Sequence, residues 1–273
     1  MSRKGIDHAA AKPRGVPSSD VRAHIMVATP TYTGDLNAQY VQSLFAALVH
    51  CLSKRIQLEL RTVSGASLIQ YARNQLVREF LEDPAFTHIL WIDADVGFDP
   101  RAIVRLVAHD KDVVGGVYPM KCQPVEWPYE PAPGEQSAKL HRAKIMPGGF
   151  LLCSRAAVQA VADQATTYMH HMAGMKYPTK HVFDLVLRDG VLLGEDVIFA
   201  QRLALAGYEL WVDPDLAFSH HGQFSWRGNL AAAIENGTMG LPPLDSAMLL
   251  RLATAGPHEL AEPIDALHKA WGN

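Results

Sequence analysis

Segments with the period of a strand and segments with the period of a helix alternate through roughly the first 120 residues, and few architectures accommodate that alternation. His24-Ile-Met-Val-Ala28 is an apolar run that reads as a buried strand and delivers the loop Thr29-Pro30-Thr31-Tyr32. A helix is expected from about Ala38 to Cys51, with Val41, Leu44, Leu48 and Leu52 at spacings of three and four. Ile56 to Val63 alternates apolar and polar side chains, as a strand does. Ser67 is placed to cap a helix whose stripe is Leu68, Ile69, Ala72, Leu76, Val77 and Phe80. Thr87-His-Ile-Leu-Trp-Ile92 then reads as a strand ending at Asp93-Ala94-Asp95, and Asp99-Pro100 starts another helix. With a further β-type run from Asp112 to Tyr118, the pattern predicts an α/β layered fold around a central, mostly parallel sheet.

The second half is less regular. Gln123 to Gly134, with four prolines, is expected to be a surface loop. Ala143 to Ser154 reads as one strand interrupted by Pro147-Gly148-Gly149, and Arg155 to Ala165 as a helix. Thr166 to Lys180 has no clear period and is expected to be a loop; His170 and His171 within it lack a companion motif and receive no role. Gly194-Glu195-Asp196 opens a helix that Gly207 stops, and Glu209 to Val212 is a strand. The expected organisation is a loose leader at 1–20, a catalytic domain at 21–230 and a helical tail at 231–273. The catalytic domain divides into a nucleotide-sugar half at 21–120 and an acceptor half at 121–230.

Composition excludes several functions. The chain of 273 residues carries a net charge of −3, so no global basic field is available to hold nucleic acid. Cys51, Cys122 and Cys153 are odd in number and far apart, which fits neither a disulfide framework nor a cysteine zinc site. The first residues lack the apolar stretch of a signal peptide, and no apolar run reaches the roughly 18–20 residues of a membrane span, so a soluble, cytoplasmic protein is expected.

Asp93-Ala94-Asp95 carries the chemistry. Two carboxylates two residues apart diverge along a continuing strand, but at a strand's carboxyl end the chain turns and both are able to face one crevice. Ligands of open α/β sheets bind there. Hard oxygen donors in that place suit Mn²⁺ or Mg²⁺ carrying a diphosphate.

The order of several short motifs then resembles the donor half of GT-A glycosyltransferases of the family-2-like kind. These are Thr29-Pro-Thr-Tyr32, Ala72-Arg73-Asn74, Trp91-Ile-Asp-Ala-Asp95 and Gly115-Gly-Val-Tyr-Pro119. The Ala-Arg-Asn followed by Asp-Ala-Asp is similar to the Anp1/Mnn9 mannosyltransferases and to related bacterial and phage proteins. Pro147 to Arg155 resembles the acceptor-side strand, and Gly194-Glu-Asp196 and Ser219-His-His-Gly222 resemble the later catalytic and metal motifs.

That resemblance implies a metal-dependent transfer of a sugar from a nucleotide-diphosphate donor to a hydroxyl. Thr29, Pro30 and Tyr32 would meet the nucleotide, Tyr32 by stacking on its base, and Arg73 would face the donor phosphate. Asp93 would hold ribose or metal, Asp95 the metal, and His220, favoured over His221, would be the third ligand. Mixed carboxylate and imidazole ligation suits Mn²⁺ better than Mg²⁺. In the Glu195-Asp196 pair, Asp196 would be the base, while Gly148 and Gly149 would let the acceptor or sugar approach the backbone. The Anp1/Mnn9 likeness implies retention and the acidic pair inversion; inversion is the expectation adopted. The acceptor stays open among a glycan, a small molecule and a hydroxymethylated DNA base, and the oligomeric state stays open too. Two rival readings are a sugar-phosphate nucleotidyltransferase, against which the absence of a glycine-rich basic loop after the first strand counts, and a nucleotide-sugar binder without catalysis.

Overall fold

A computed structural model describes residues 22–122, 124–134, 137, 139–172, 175–222 and 225–237. The leader at 1–20 and the tail beyond 237 lie outside these residues. In chain order the elements are β1 (Ala23–Pro30), α1 (Ala38–Ser53), β2 (Ile56–Val63), α2 (Ile69–Glu82), β3 (His88–Ile92), β4 (Val96–Phe98), α3 (Ala102–Ala108) and β5 (Val113–Gly115). There follow β6 (Glu130–Pro131), β7 (His141–Ile145), β8 (Phe150–Ser154), α4 (Arg155–Gln164), β9 (Thr167–Met172) and β10 (Met175–Lys180). The last are β11 (Val186–Arg188), β12 (Val191–Leu193), α5 (Glu195–Leu205), β13 (Leu210–Val212), β14 (Ala217–His221), β15 (Ser225–Asn229) and α6 (Leu230–Glu235).

The central sheet has eight strands in the order β2-β1-β3-β8-β5-β13-β7-β6. β8 and β7 run against the other six, so the α/β class and the mostly parallel orientation expected from the alternation are both present. Side-chain alternation divides the core into two layers. Leu90 and Ile92 join Ile25 and Val27 beneath α1 and α3, in a cluster with Tyr40, Ile103 and Leu106. Trp91, of opposite parity, meets Phe183 edge-on at 5.0 Å between ring centroids, on the side covered by α2 and α5. Burying each large apolar side chain of these layers contributes roughly 1.5–3 kcal/mol.

Three local expectations change. Pro147-Gly148-Gly149 does not interrupt one strand but separates two: β7 and β8 are held apart in the sheet by β5 and β13. The stretch expected to be a loop after Thr166 instead contributes β9 and β10, which pair antiparallel with Tyr177 opposite His170. Their rings stack at 5.3 Å, and Arg78 lies 4.3 Å over Tyr177. The strand period there is carried by rings, not by aliphatic side chains. Ser67 does not cap α2; Leu68 occupies that position without a side-chain bond.

A small three-stranded sheet, β15-β14-β4, matters most for the site. It pairs β14, some 120 residues downstream, with the segment just after Asp93-Ala94-Asp95, setting His220 opposite Val96 and Ser219 opposite Gly97. Gly97 permits the pairing, since a Cβ there would fall on Ser219 Oγ and crowd Gln39. Cys51 and Cys153 are buried free thiols; burial pushes the Cys51 thiol up to about 12. Among the described residues no helix is long and apolar enough to cross a membrane.

Candidate active site

β3 ends at Ile92 and the chain turns at once, with the Val96 amide donating to the Asp93 carbonyl at 3.1 Å. This turn was expected to bring both carboxylates to one ion. Instead it gives them different partners. Asp93 accepts from Arg73 Nη2 at 2.8 Å through Oδ1 and from the Tyr118 hydroxyl at 3.0 Å through Oδ2. Both of its oxygens take protein partners, which anchors Asp93 in the wall of the site.

Arg73 anchors the same wall. Its side chain is only 2% exposed, and besides Asp93 it donates from Nη1 to the Gly148 carbonyl at 3.2 Å. Its Nε lies 3.5 Å from Glu195 Oε1, and its guanidinium carbon lies 5.4 Å from the Trp91 ring centroid. The guanidinium therefore ties α2, the end of β3, the approach to β8 and the start of α5 into one unit. Burial alone would weaken its charge, but Asp93 and Glu195 hold its pKa above the ordinary guanidinium value. The next residue, Asn74, clamps the same region: its Oδ1 accepts from the Val182 and Phe183 amides and its Nδ2 donates to the Phe183 carbonyl.

Asp95 points elsewhere. Its carboxylate forms an ion pair with Lys121, and its Oδ1 lies 3.5 Å from His220 Nε2. His220 Nδ1 is 2.8 Å from the Pro119 carbonyl. A carbonyl only accepts, so Nδ1 carries a proton and Nε2 is the nitrogen turned toward Asp95. Metal-bound histidines are oriented in this way. His221 differs: Nε2 engages Ser219 Oγ at 2.8 Å and Nδ1 engages Ser225 Oγ at 2.9 Å, while its amide donates to the Asp95 carbonyl at 2.9 Å. Burial tends to raise the Asp95 carboxyl, but His220 and Lys121 together hold it below the usual carboxylate range.

Among the described residues no three His, Cys, Asp or Glu side chains come together to hold an ion. Of Asp93, Asp95 and His220, the two whose side chains lie together are Asp95 and His220, 3.5 Å apart. Two protein donors still fit a divalent cation on a nucleotide, because such ions are usually held by one or two protein groups with phosphate oxygens and water completing the shell. Tyr118 joins the two halves of the site: its hydroxyl meets Asp93 and its ring packs edge-on to His220 at 4.9 Å. Burial, with the Asp93 charge added, pushes its phenol well above the ordinary tyrosine value.

The two glycines, expected to let acceptor or sugar approach the backbone, also make room for protein side chains. A Cβ at Gly149 would fall 2.6 Å from the Asp93 carboxyl carbon and closer still to Asp93 Oδ2 and the Tyr118 hydroxyl. One at Gly148 would lie 3.1 Å from Asp196 Cβ. Gly149→Ala is therefore expected to cost about 1–3 kcal/mol through overpacking and to displace Asp93. A chemical denaturation curve with unchanged midpoint would contradict this geometry.

Glu195 and Asp196 open α5 behind Gly194. Burial raises the Glu195 carboxyl above the usual range; Arg73 opposes that shift and Asp196 adds to it. Asp196 accepts from the Val197 amide at 2.8 Å through Oδ1. In the first loop Thr29 is fully buried and bonds Tyr40 at 2.7 Å, and Pro30 is buried beside it. Tyr32 is 71% exposed.

Tyr118 and Pro119 stand in the Gly115-Gly-Val-Tyr-Pro119 motif without a role of their own, and Lys121 was not singled out. A signal was available: they follow β5, whose carboxyl end lies on the same side of the sheet as that of β3.

Neither a protein-family model nor a curated protein matches the sequence. Among solved structures, the chain is similar to the crystal structure of A197 from STIV, at 16% identity and a TM-score of 0.46 over 73% of this chain and 86% of that one. It is also similar to the crystal structure of GalNAc-T7 with UDP, GalNAc and Mn²⁺, at 10% identity and a TM-score of 0.41. That second likeness covers 74% of this chain and 44% of the other, so the chain spans less than half of its length.

Proposed function

We propose that the chain is a GT-A type glycosyltransferase that moves a sugar from a nucleotide-diphosphate donor to an acceptor hydroxyl with inversion at the anomeric carbon. The supporting observation is the meeting of Asp95, just beyond the carboxyl end of β3, with a histidine whose other nitrogen is fixed by the Pro119 carbonyl. Asp95 and His220 would hold Mn²⁺ or Mg²⁺, which supplies positive charge to a departing diphosphate. Arg73, Tyr118 and Gly149 keep Asp93 in place as the wall beside it. Tyr32 offers its exposed face to the base.

Asp196 is the base in this reading. The acceptor oxygen forms its bond to the anomeric carbon as the bond from that carbon to the diphosphate oxygen breaks. The electron pair leaves with the diphosphate, and the acceptor proton passes to the Asp196 carboxylate. Glu195 holds Arg73 and acts through it.

A thermal-shift panel of nucleotide-sugars with and without Mn²⁺ tests the reading, because a ligand that binds only the folded state raises its melting point. The expected result is a shift for one nucleotide class, larger with Mn²⁺, and lost in Asp95→Ala. A shift that survives in Asp95→Ala, or none with any nucleotide, would remove the site.

A further inference from the structure

Lys121 stands where a cation would be useful. It follows the β5 loop, its stem lies against Gly222 (a Cβ there would sit 3.4 Å from Lys121 Cδ), and its ammonium pairs with Asp95 on the Oδ2 side. The other oxygen of the same carboxylate faces His220. One carboxylate is therefore shared by a histidine that fits a metal and by a lysine that competes with one. Arg73 does not compete in this way, since it is buried and fixed by Asp93, Glu195 and Gly148. The Lys121 side chain is about one-third exposed and borders the site.

We propose that Lys121 is an exchangeable counter-ion. With no donor bound it neutralises Asp95; when a divalent cation and a nucleoside diphosphate bind, it leaves Asp95 and grips the diphosphate. This rests on the reading of Asp95 and His220 given above. A divalent charge wins the carboxylate over an ammonium once phosphate oxygens complete its shell. The displaced ammonium sits on a flexible four-carbon stem with three donors, and the diphosphate is then the anion nearest its new position. Such an exchange couples the two ligands. Metal alone binds weakly because it must displace Lys121, and metal with diphosphate binds well because Lys121 gains a partner.

The test is binding, measured by titration calorimetry on the full chain, of Mn²⁺ alone and then of UDP, GDP, ADP and CDP each at saturating Mn²⁺. In Lys121→Met, Mn²⁺ alone is expected to bind about three- to tenfold more tightly than in wild type. The nucleoside diphosphate that the wild type prefers is expected to bind about tenfold more weakly. Lys121→Arg, which keeps a cation there, should retain most of the nucleotide affinity. Affinities that fall together, or that do not change, overturn the exchange. The second result, with the wild type still binding a nucleotide through Mn²⁺, overturns the inference and leaves the functional reading standing. A wild type that binds no nucleoside diphosphate with Mn²⁺ overturns both.

Discussion

Arg73→Met is expected to destabilise the fold by about 3–5 kcal/mol, the usual cost of stripping one partner from a buried ion cluster. In a chain of this size that corresponds to a loss of roughly 10 °C or more in melting temperature. The methionine fills most of the volume and still packs against Trp91 and Phe183, so the loss reports charge and hydrogen bonding, not a cavity. Asp93 and Glu195 are then left facing one another without the cation that both lean on. Arg73→Lys should recover only a minor part, because a single ammonium cannot serve Asp93, Gly148 and Glu195 in three directions as the planar fork does. Differential scanning calorimetry of the two variants checks this. A melting temperature within a degree or two of wild type in Arg73→Met would mean that the guanidinium is solvated and that the site wall is built otherwise.

Asp196→Asn is expected to lower donor turnover about 10²–10⁴-fold, the range of a positioned general base, while leaving nucleotide binding and the melting temperature close to wild type. The change keeps shape and removes the carboxylate. Asp196 lies in the first turn of α5 against Gly148, and a side-chain amide oxygen is able to replace its one backbone contact, to Val197. Glu195→Gln should show a smaller loss of rate, because in this reading Glu195 acts only through Arg73, whose Nε lies 3.5 Å from it. Initial rates of donor consumption, with thermal-shift binding as the control, separate the two carboxylates. Equal rates for Asp196→Asn and wild type would transfer the base role elsewhere.

The sheet was legible in the sequence because strand and helix periods are local. Ile56–Val63 coincides with its expected bounds, as do the strand leading to Asp93 and the helix opened by Glu195, each within a residue or two. The acid at the end of β3 was legible for the same reason. What was not legible is which partner each carboxylate takes, since that depends on contacts distant in the chain. Arg73 was read as outside the apolar stripe of α2; its burial depends on Asp93 and Glu195, 20 and 122 residues away. Polar residues on a helix are read as solvated unless their partners are known, and Asn74 was missed in the same way. Gly148 and Gly149 were read as places where sugar or acceptor approaches the backbone; the structure sets side chains of this chain against them. Lys121 gave no period and no motif; only the pairing of β14 with β4 shows the site it borders.

Crystals grown with UDP and Mn²⁺, measured at the manganese absorption edge, test the central claim most directly. The account predicts one anomalous peak within bonding distance of Asp95 and His220 Nε2, with Asp93 still held by Arg73 and Tyr118. A peak coordinated by Asp93 in place of His220, or seated on His221, would contradict it.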